Sequence, residues 1–304
     1  MDMLNPVAGR FVRQANRFTE KITADGAEGL PAEPGRYRLF VSYACPWAHR
    51  TLIVRHLLGL QDVIDVAVVD PVRDEAGWRI PGGDPVTGAT YLSELYLATD
   101  PSFEGRYTVP CIWDTVTRRL VTNDFPAITT MMETEFTAFH RAGAPDLYPA
   151  ELRPEIDEIN ALVYDTVNNG VYKAGFAREQ GPYEEAFDQL FATLDTLEDR
   201  LSRQRYLVGG QLTEADIRLY PTLVRFDSVY HGHFKCNLRR LVDYPHLWAY
   251  TRDLYSRPAF HETTDFDHIK RHYYMTHPHI NPSRIVPKGP LLDWTAPHGR
   301  DRLD

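Results

Sequence analysis

The sequence predicts an α/β fold class in which a mixed-sheet domain precedes an all-helical domain. Residues 36–69 carry the pattern of a strand, a helix and a second strand, in that order. Two further strands and a helix follow between residues 107 and 138. Beyond residue 140, apolar residues recur at the 3.6-residue spacing of helices, so the second half of the chain is predicted to be helical.

Local composition predicts the first strand–helix–strand unit. Residues 37–43 alternate and are rich in aromatic and β-branched side chains, which indicates a strand. Pro46 can begin a helix, because the first turn does not need the N–H group that proline lacks. Apolar residues then continue at helical spacing to Leu60. Residues 63–69 are the next strand, which a right-handed crossover places parallel to the first.

The following segments complete a thioredoxin-like pattern. Residues 70–104 are rich in Gly, Asp and Pro, so a long excursion is expected there. Strands are predicted at residues 107–113 and 119–122, separated by a turn at 114–117. A helix is predicted to begin near Phe125. The order βαβ, insertion, ββα is that of a thioredoxin-like domain.

Helical periodicity and capping signals define the second half. The predicted helices span residues 151–171, 182–203, 215–231 and 244–256. Thr213 and Asp216 form a capping-box pattern at the start of the third helix. Pro221 lies within this helix and is expected to kink it or to lie near its first turn. The predicted parts of the chain are an N-terminal arm (1–35), a thioredoxin-like domain (36–138), an all-helical domain (139–262) and a loop-like C-terminal extension that packs over the domains (263–304).

Composition excludes several classes of function. A net charge of −9 argues against sequence-independent nucleic-acid binding, which requires a basic surface. Residues 1–20 lack the apolar centre of a signal peptide, and no apolar stretch is long enough to span a bilayer. The three cysteines are too few for a disulfide framework and are typical of a reducing compartment. We therefore expect a cytoplasmic protein with no nucleic-acid or membrane partner.

Cys45 is the candidate nucleophile. It lies where a strand gives way to a helix, so its sulfur faces the positive end of the helix dipole, which favours the thiolate. The alternative is a buried structural cysteine, which is the usual role of intracellular cysteines. The motif has Ala48, not a second cysteine, three residues after Cys45. The sequence therefore predicts monothiol chemistry, in which a small soluble thiol resolves the mixed disulfide.

Val109 and Pro110 are candidates for thiol binding. In a thioredoxin-like domain this proline is cis and sets the Val109 backbone to pair with a peptide-like thiol. The alternative is a trans proline at the start of a strand, which is the commoner case for proline in general.

The chain resembles the glutathione transferase superfamily and, within it, the xi class of glutathionyl-hydroquinone reductases. The resemblance runs from about residue 36 to residue 290. It rests on several long motifs in the same order, at residues 45–52, 91–96, 168–176, 223–230, 233–236 and 266–273. It implies an α/β thioredoxin-like N-terminal domain plus an all-α glutathione-transferase C-terminal domain, glutathione as cosubstrate with no permanently bound cofactor, and a homodimer.

The resemblance also implies a mechanism and its residues. Cys45 attacks the sulfur of a glutathionyl-hydroquinone, releases the hydroquinone and is regenerated by a second glutathione. Tyr172 and Tyr273 match two functional tyrosines, and a phenol at either position could bond the ring hydroxyl or supply the proton to the departing carbon. Without that context, each is more simply a core aromatic residue. Trp78 matches a tryptophan that packs on the bound thiol.

One departure from the family concerns the thiol. Where relatives carry a Glu-Ser pair to hold the γ-glutamyl end of glutathione, this chain has Asp124 and Phe125. Asp124 keeps a carboxylate on a shorter stem, but Phe125 has no hydroxyl to offer. The lost hydrogen bond is worth about 1 kcal/mol or more. We therefore expect weakened glutathione binding, in favour of another low-molecular-weight thiol such as mycothiol.

The two other cysteines and a group of C-terminal histidines give weaker signals. Cys111 and Cys236 are expected to be buried, and the histidines at 272, 277 and 279 match no compact set of metal ligands, so no metal is expected. Two alternative functions stay open: an omega-like thioltransferase or dehydroascorbate reductase that uses the same cysteine, and a ligand-binding protein that kept the fold.

Overall fold

A computed structural model describes residues 8–303. The chain divides into two compact units. The sheet unit comprises residues 14–145 and 262–285, and the helical unit comprises the described residues up to 13, residues 146–261 and the described residues from 286 onward. The predicted C-terminal extension is therefore divided between the two units, and its first half belongs with the sheet.

A mixed sheet forms the centre of the sheet unit. The strands of this unit are β1 (Ile22–Thr23), β2 (Leu30–Pro31), β3 (Tyr37–Val41), β4 (Ile64–Val68), β5 (Cys111–Asp114) and β6 (Arg119–Thr122). Among the described residues, the main sheet has the order β4–β3–β5–β6, and β1 pairs with β2 apart from it. The predicted parallel pairing of β3 with β4 is confirmed, whereas β5 runs antiparallel to both β3 and β6. All residues of β3 are buried, so this strand lies at the centre of the core.

The helices of the sheet unit surround this core. They are α1 (Pro46–Leu58), α2 (Leu92–Thr99), α3 (Phe125–Thr134) and α10 (Phe266–Thr276). The predicted helix after Cys45 is confirmed, and it ends at Gly59, whose φ of 74° is the left-handed conformation that glycine adopts readily.

Two helices of the sheet unit, α2 and α10, were not predicted. α2 lies within the excursion of residues 70–104 and is buried through Leu92, Leu95 and Tyr96. The prediction of a loop-like tail is wrong for α10, which begins at Asp265, where the side chain accepts a hydrogen bond from the His268 N–H at 2.9 Å. Most side chains of α10 are polar, and only Ile269, His272 and Tyr273 are buried, so the sequence shows no clear helical pattern there.

The described part of the predicted N-terminal arm is built into the sheet unit from residue 14 onward; residues 1–7 lie outside the described residues. Thr19 pairs with Thr122 in an isolated antiparallel bridge. The Glu20 N–H donates to the Val121 carbonyl at 3.2 Å. These bonds satisfy backbone groups along the outer edge of β6, which would otherwise face water.

The helical unit contains α4 (Arg153–Val163), α5 (Gly170–Gly175), α6 (Gln180–Leu201), α7 (Glu214–Arg225), α8 (Pro245–Tyr255) and α9 (Pro258–His261). The helices predicted at 151–171 and 215–231 are each interrupted by a wide turn, at Tyr164–Asn168 and Phe226–Tyr230 respectively. These are π-helical turns, in which each hydrogen bond spans one more residue than in an α-helix. The chain stays helical but its buried face rotates, so the spacing of apolar residues in the sequence does not reveal the turn. No helix within residues 8–303 has the length and apolar character needed to cross a membrane.

The predicted capping box at the start of α7 is confirmed. The Thr213 N–H donates to Asp216 Oδ2 at 2.9 Å. The other oxygen of the same buried carboxylate accepts from the Leu207 N–H at 2.9 Å and from the Tyr250 hydroxyl at 2.7 Å. One side chain therefore joins α7, the preceding loop and α8. Pro221 lies inside α7, as predicted.

A buried ion pair joins the residue just before β3 to the last residue of β5. Arg36 donates to both carboxylate oxygens of Asp114, at 2.9 Å and 2.8 Å. Burial raises the pKa of the Asp114 carboxyl. Hydrogen bonds from Arg36, Thr117 and the Val116 N–H lower this pKa by more than burial raises it, so the pKa lies below its ordinary value of 3.8. Because the folded-state pKa is the lower one, the stabilisation is fully present above about pH 5 and is lost as the pH falls through the lowered value.

We predict that Asp114→Asn lowers the free energy of unfolding by about 3 kcal/mol near pH 7, because the nearly buried guanidinium of Arg36 loses its buried charged partner and keeps only the exposed carboxylate of Glu33. The difference between variant and wild type should shrink in urea titrations as the pH is lowered below about 4, because the unfolded wild-type chain then gains the proton that the folded carboxyl resists. Asp199→Asn, which breaks an exposed ion pair with Arg203, is the control and should change little. A pH-independent difference would contradict the assigned role of the ionised carboxylate.

Candidate active site

Cys45 occupies the position immediately before the first turn of α1. Its backbone is extended, with φ −78° and ψ 119°, and its side chain does not cap the helix. The first turn carries no acidic residue, so nothing there opposes the positive end of the helix dipole. The thiol is partly exposed, and its Sγ atom lies 3.3 Å from the Val109 carbonyl oxygen, to which it can donate. The geometry therefore places an accessible nucleophile where negative charge is favoured.

Val109 and Pro110 lie opposite the thiol. The peptide bond between them is cis, which is the arrangement expected of a thioredoxin-like domain. The Val109 N–H makes no hydrogen bond to another described residue. Thr108 anchors the segment, because its carbonyl accepts from the Tyr96 hydroxyl at 2.8 Å and its own hydroxyl accepts from the Asn123 amide at 3.1 Å. The backbone at Val109 is thus held beside Cys45, with its N–H still available as a donor.

The turn between β6 and α3 brings Asp124 and Phe125 to the same region. Asp124 stands at the start of α3, but its side chain does not cap the helix. Its Oδ1 atom instead accepts from the Asn16 amide at 3.1 Å. Phe125 is buried and packs on Trp47, with ring centroids 4.6 Å apart, and the Arg50 guanidinium lies 4.6 Å from the same tryptophan ring. Trp47 is therefore a packing residue that supports Phe125.

Trp78 and Tyr273 are brought together through a histidine. The Trp78 ring stacks on His272, with centroids 5.0 Å apart and planes inclined by 18°. The His272 Nδ1 atom lies 2.7 Å from the Pro71 carbonyl, so this nitrogen carries the proton. Tyr273 is almost fully buried and meets His272 edge-on at 5.3 Å. α10 therefore belongs to the same unit as the thiol, which the sequence pattern did not reveal.

Tyr172 lies in the helical unit, on α5. Its ring packs on Phe234 at 5.4 Å, and the Arg13 guanidinium stands 5.1 Å from the ring centroid. Arg13 also donates to the Asn169 side chain at 2.9 Å, just before α5 begins. Gly175 allows close packing here, since a Cβ atom at this position would lie 2.2 Å from the Phe234 ring. The side chain is thus fixed on several sides.

The other cysteines are buried, as expected. Cys111 and Cys236 have no exposed surface, and burial raises the pKa of each thiol far above its usual range. A buried neutral thiol is a poor nucleophile, so neither competes with Cys45. Within residues 8–303, no group of three or more His, Cys, Asp or Glu side chains is arranged to hold a metal ion.

The sheet unit thus holds seven of the predicted site residues: Cys45, Trp78, Val109, Pro110, Asp124, Phe125 and Tyr273. Tyr172 belongs to the helical unit. Sequence reasoning missed three side chains that contact predicted site residues, namely Asn16, Arg13 and His272. The first two lie in a segment without periodicity. His272 directly precedes Tyr273 in the same motif, and this adjacency could have indicated that it belongs to the site.

Two family models match the chain. The glutathione S-transferase N-terminal domain matches residues 44–135, and the glutathione S-transferase C-terminal domain matches residues 180–253. The first range begins one residue before Cys45 and ends in α3, while the second covers α6, α7 and most of α8. The matches therefore include the strand and helix ends that form the candidate thiol site.

Individual proteins are similar over nearly the whole chain. The glutathionyl-hydroquinone reductase PcpF of Sphingobium chlorophenolicum is 50% identical, over 93% of this chain and 90% of its own length. The glutathionyl-hydroquinone reductase YqjG of Escherichia coli is also 50% identical, over 96% of this chain and 93% of its own. Its glutathione-bound structure superposes with a TM-score of 0.90, over 94% of this chain and 96% of that one.

A fungal structure assigns the class. The glutathione S-transferase Xi from Phanerochaete chrysosporium is 49% identical, with a TM-score of 0.91 over 94% of this chain and 99% of that one. Identity at this level over more than nine-tenths of the chain indicates shared ancestry as well as shared fold. The chain therefore belongs to the xi class of the glutathione transferase family.

Proposed function

We propose that this protein is a glutathionyl-hydroquinone reductase. The observation that carries the proposal is the partly exposed thiol of Cys45 at the start of α1, with the cis-proline backbone 3.3 Å away and the other two cysteines buried. Two relatives that are 50% identical bear this name. A single accessible thiol suits a reaction in which a second small thiol, and not a second cysteine, resolves the mixed disulfide.

The proposed reaction proceeds in two exchanges. The Cys45 thiolate attacks the glutathione sulfur of the conjugate, so that a sulfur–sulfur bond forms and the carbon–sulfur bond breaks. The electron pair of the broken bond goes to the ring carbon, which takes a proton, and the hydroquinone leaves. A second glutathione thiolate then attacks the mixed disulfide and releases glutathione disulfide and the Cys45 thiolate. The second thiol thus supplies the reducing electrons.

We assign thiol binding to groups of the sheet unit. The Val109 N–H and carbonyl are positioned to pair with the backbone of the cysteinyl part of the thiol. Asp124 offers a carboxylate to the ammonium group of the γ-glutamyl end, beside the N–H groups at the start of α3. Trp78 supplies an aromatic surface for the bound thiol. Pro110 and Phe125 complete the lining.

We assign the aromatic substrate to Tyr172 and Tyr273. The resemblance to the family gives both positions a functional phenol, and a phenol can bond the ring hydroxyl or pass a proton to the departing carbon. Each ring is held firmly in its own unit, Tyr273 by His272 and Tyr172 by Arg13 and Phe234. Fixed orientation is what a proton donor requires.

We further propose a cytoplasmic homodimer without a permanently bound cofactor.

The identity of the thiol depends on Phe125. The relative YqjG binds glutathione, which supports glutathione as the cosubstrate here. Phe125 is buried against Trp47 and offers no hydroxyl to a carboxylate at the start of α3. We propose that the site consequently binds glutathione weakly and accepts another low-molecular-weight thiol, such as mycothiol.

We predict that Cys45→Ser abolishes release of menadiol from glutathionyl-menadiol, with turnover reduced at least about a thousandfold, because a hydroxyl is not ionised near neutral pH and is a poor nucleophile toward sulfur. Product release is followed by chromatography. Cys236→Ala is the matched control, since that buried thiol lies in the helical unit and should leave turnover within about twofold. Turnover by Cys45→Ser within tenfold of wild type would exclude a Cys45 mixed disulfide.

Preference for a generic glutathione mixed disulfide over the menadiol conjugate would favour the omega-like thioltransferase activity.

We predict that Phe125→Ser tightens glutathione binding about fivefold in isothermal titration calorimetry, because the serine hydroxyl restores one hydrogen bond to the γ-glutamyl carboxylate. Parallel titrations with mycothiol should show that the wild-type protein prefers it. Sub-millimolar glutathione binding by the wild type, together with no preference for mycothiol, would contradict the altered thiol specificity.

A further inference from the structure

The N-terminal segment of residues 14–18 runs along the two loops that flank the proposed thiol site. Gln14 accepts from the Arg106 N–H at 2.8 Å and donates to the Arg106 carbonyl at 3.4 Å. Arg106 lies three residues before Val109. The segment is therefore bonded to the loop that leads to the cis proline.

Four residues further along, the same segment is bonded to the turn between β6 and α3. The Phe18 N–H donates to the Asn123 side-chain oxygen at 3.0 Å, and the Asn123 N–H donates to the Phe18 carbonyl at 3.0 Å. Asn123 is buried, and its amide also donates to Thr108. This reciprocal pair fixes the backbone of residue 18 against that of residue 123. It thereby fixes the position of Asn16 relative to Asp124.

Asn16 contacts the carboxylate that the proposed function assigns to the thiol. Its Nδ2 atom lies 3.1 Å from Asp124 Oδ1. Because a carboxylate oxygen can only accept a hydrogen bond, the NH₂ group of Asn16 is the donor in this contact. An aspartate at this position would ordinarily cap the helix that follows, but Asp124 makes no such bond. The second carboxylate oxygen makes no hydrogen bond to another described residue.

We propose that Asn16 is a positioning residue for thiol specificity. It holds Asp124 Oδ1 away from the start of α3, so that Oδ2 points to the ammonium group of the γ-glutamyl end of glutathione. This inference rests on the proposed function. The neutral amide suits the role, because a lysine or arginine would neutralise the carboxylate and compete with the ammonium group of the thiol. The N-terminal segment thus contributes to selection of the thiol without touching it.

The test compares Asn16→Leu, which keeps the volume but removes the donor, with Asn16→Ala and with Arg17→Gln. Arg17 lies on the same segment and forms an exposed ion pair with Asp100, so its variant reports on nonspecific effects of substitution. Binding of glutathione is measured by calorimetry. A second titration uses the glutathione analogue in which hydrogen replaces the γ-glutamyl amino group. The alkylation rate of Cys45 by iodoacetamide and the melting temperature report on the integrity of the site.

We expect Asn16→Leu and Asn16→Ala to weaken glutathione binding about fivefold, because a misplaced carboxylate loses part of a charged hydrogen bond. Binding of the analogue, alkylation of Cys45 and the melting temperature should stay as in the wild type, as should all properties of Arg17→Gln. In an Asp124→Asn background, the Asn16 substitutions should have no further effect on glutathione binding.

The outcomes separate this inference from the proposed function. If the wild type does not bind glutathione, or if Asp124→Asn leaves its affinity unchanged, the proposed thiol site is wrong and the inference fails with it. If Asp124→Asn weakens binding but neither Asn16 variant does, the inference alone is overturned. Equal weakening of glutathione and of the analogue by the Asn16 variants would also overturn it, since the role of Asn16 would then be structural.

Discussion

The antiparallel pairing of β3 with β5 is the constraint on which the site depends. Phe40 lies opposite Cys111, so the end of β3 meets the start of β5. The residues that follow one strand and precede the other are thereby brought to the same edge of the sheet, and the Cys45 sulfur comes within 3.3 Å of the Val109 carbonyl. Because β6 is antiparallel to β5, it too ends at this edge and delivers Asp124 there. A slip of the β3–β5 register by one residue would separate these groups.

Hydrogen bonds among buried side chains hold the loops at that edge in place. Asn123 joins Phe18 on one side to Thr108 on the other, and Thr108 is fixed in turn by the Tyr96 hydroxyl on α2. Each of these groups would be costly to bury without its partner, so the network favours a single arrangement of the loops. Cys45, the proposed nucleophile, differs from these groups because it stays partly exposed, at the start of a helix whose dipole favours negative charge. Rigid surroundings and an accessible sulfur are what thiol exchange requires.

Sequence patterns predicted the parts of the site that local chemistry determines. The strand before Cys45, the helix that begins at Pro46, the burial of the other two cysteines and the capping box at Thr213 all follow from short-range preferences, and all are observed. The missed features depend on contacts between residues distant in sequence. α10 and the segment around Asn16 have polar compositions, and their buried faces become evident only when they pack on the sheet unit. The wide turns that interrupt two predicted helices likewise leave the apolar spacing nearly unchanged.

The central claim is that Cys45 carries the glutathionyl group between two exchanges. Mass spectrometry of the protein, quenched with acid after mixing with glutathionyl-menadiol in the absence of free thiol, tests this claim most directly. We expect one glutathione per chain, attached to the peptide that contains Cys45 and removed when free glutathione is added before the quench. Release of menadiol with no adduct on Cys45, or an adduct on Cys111 or Cys236, would contradict it.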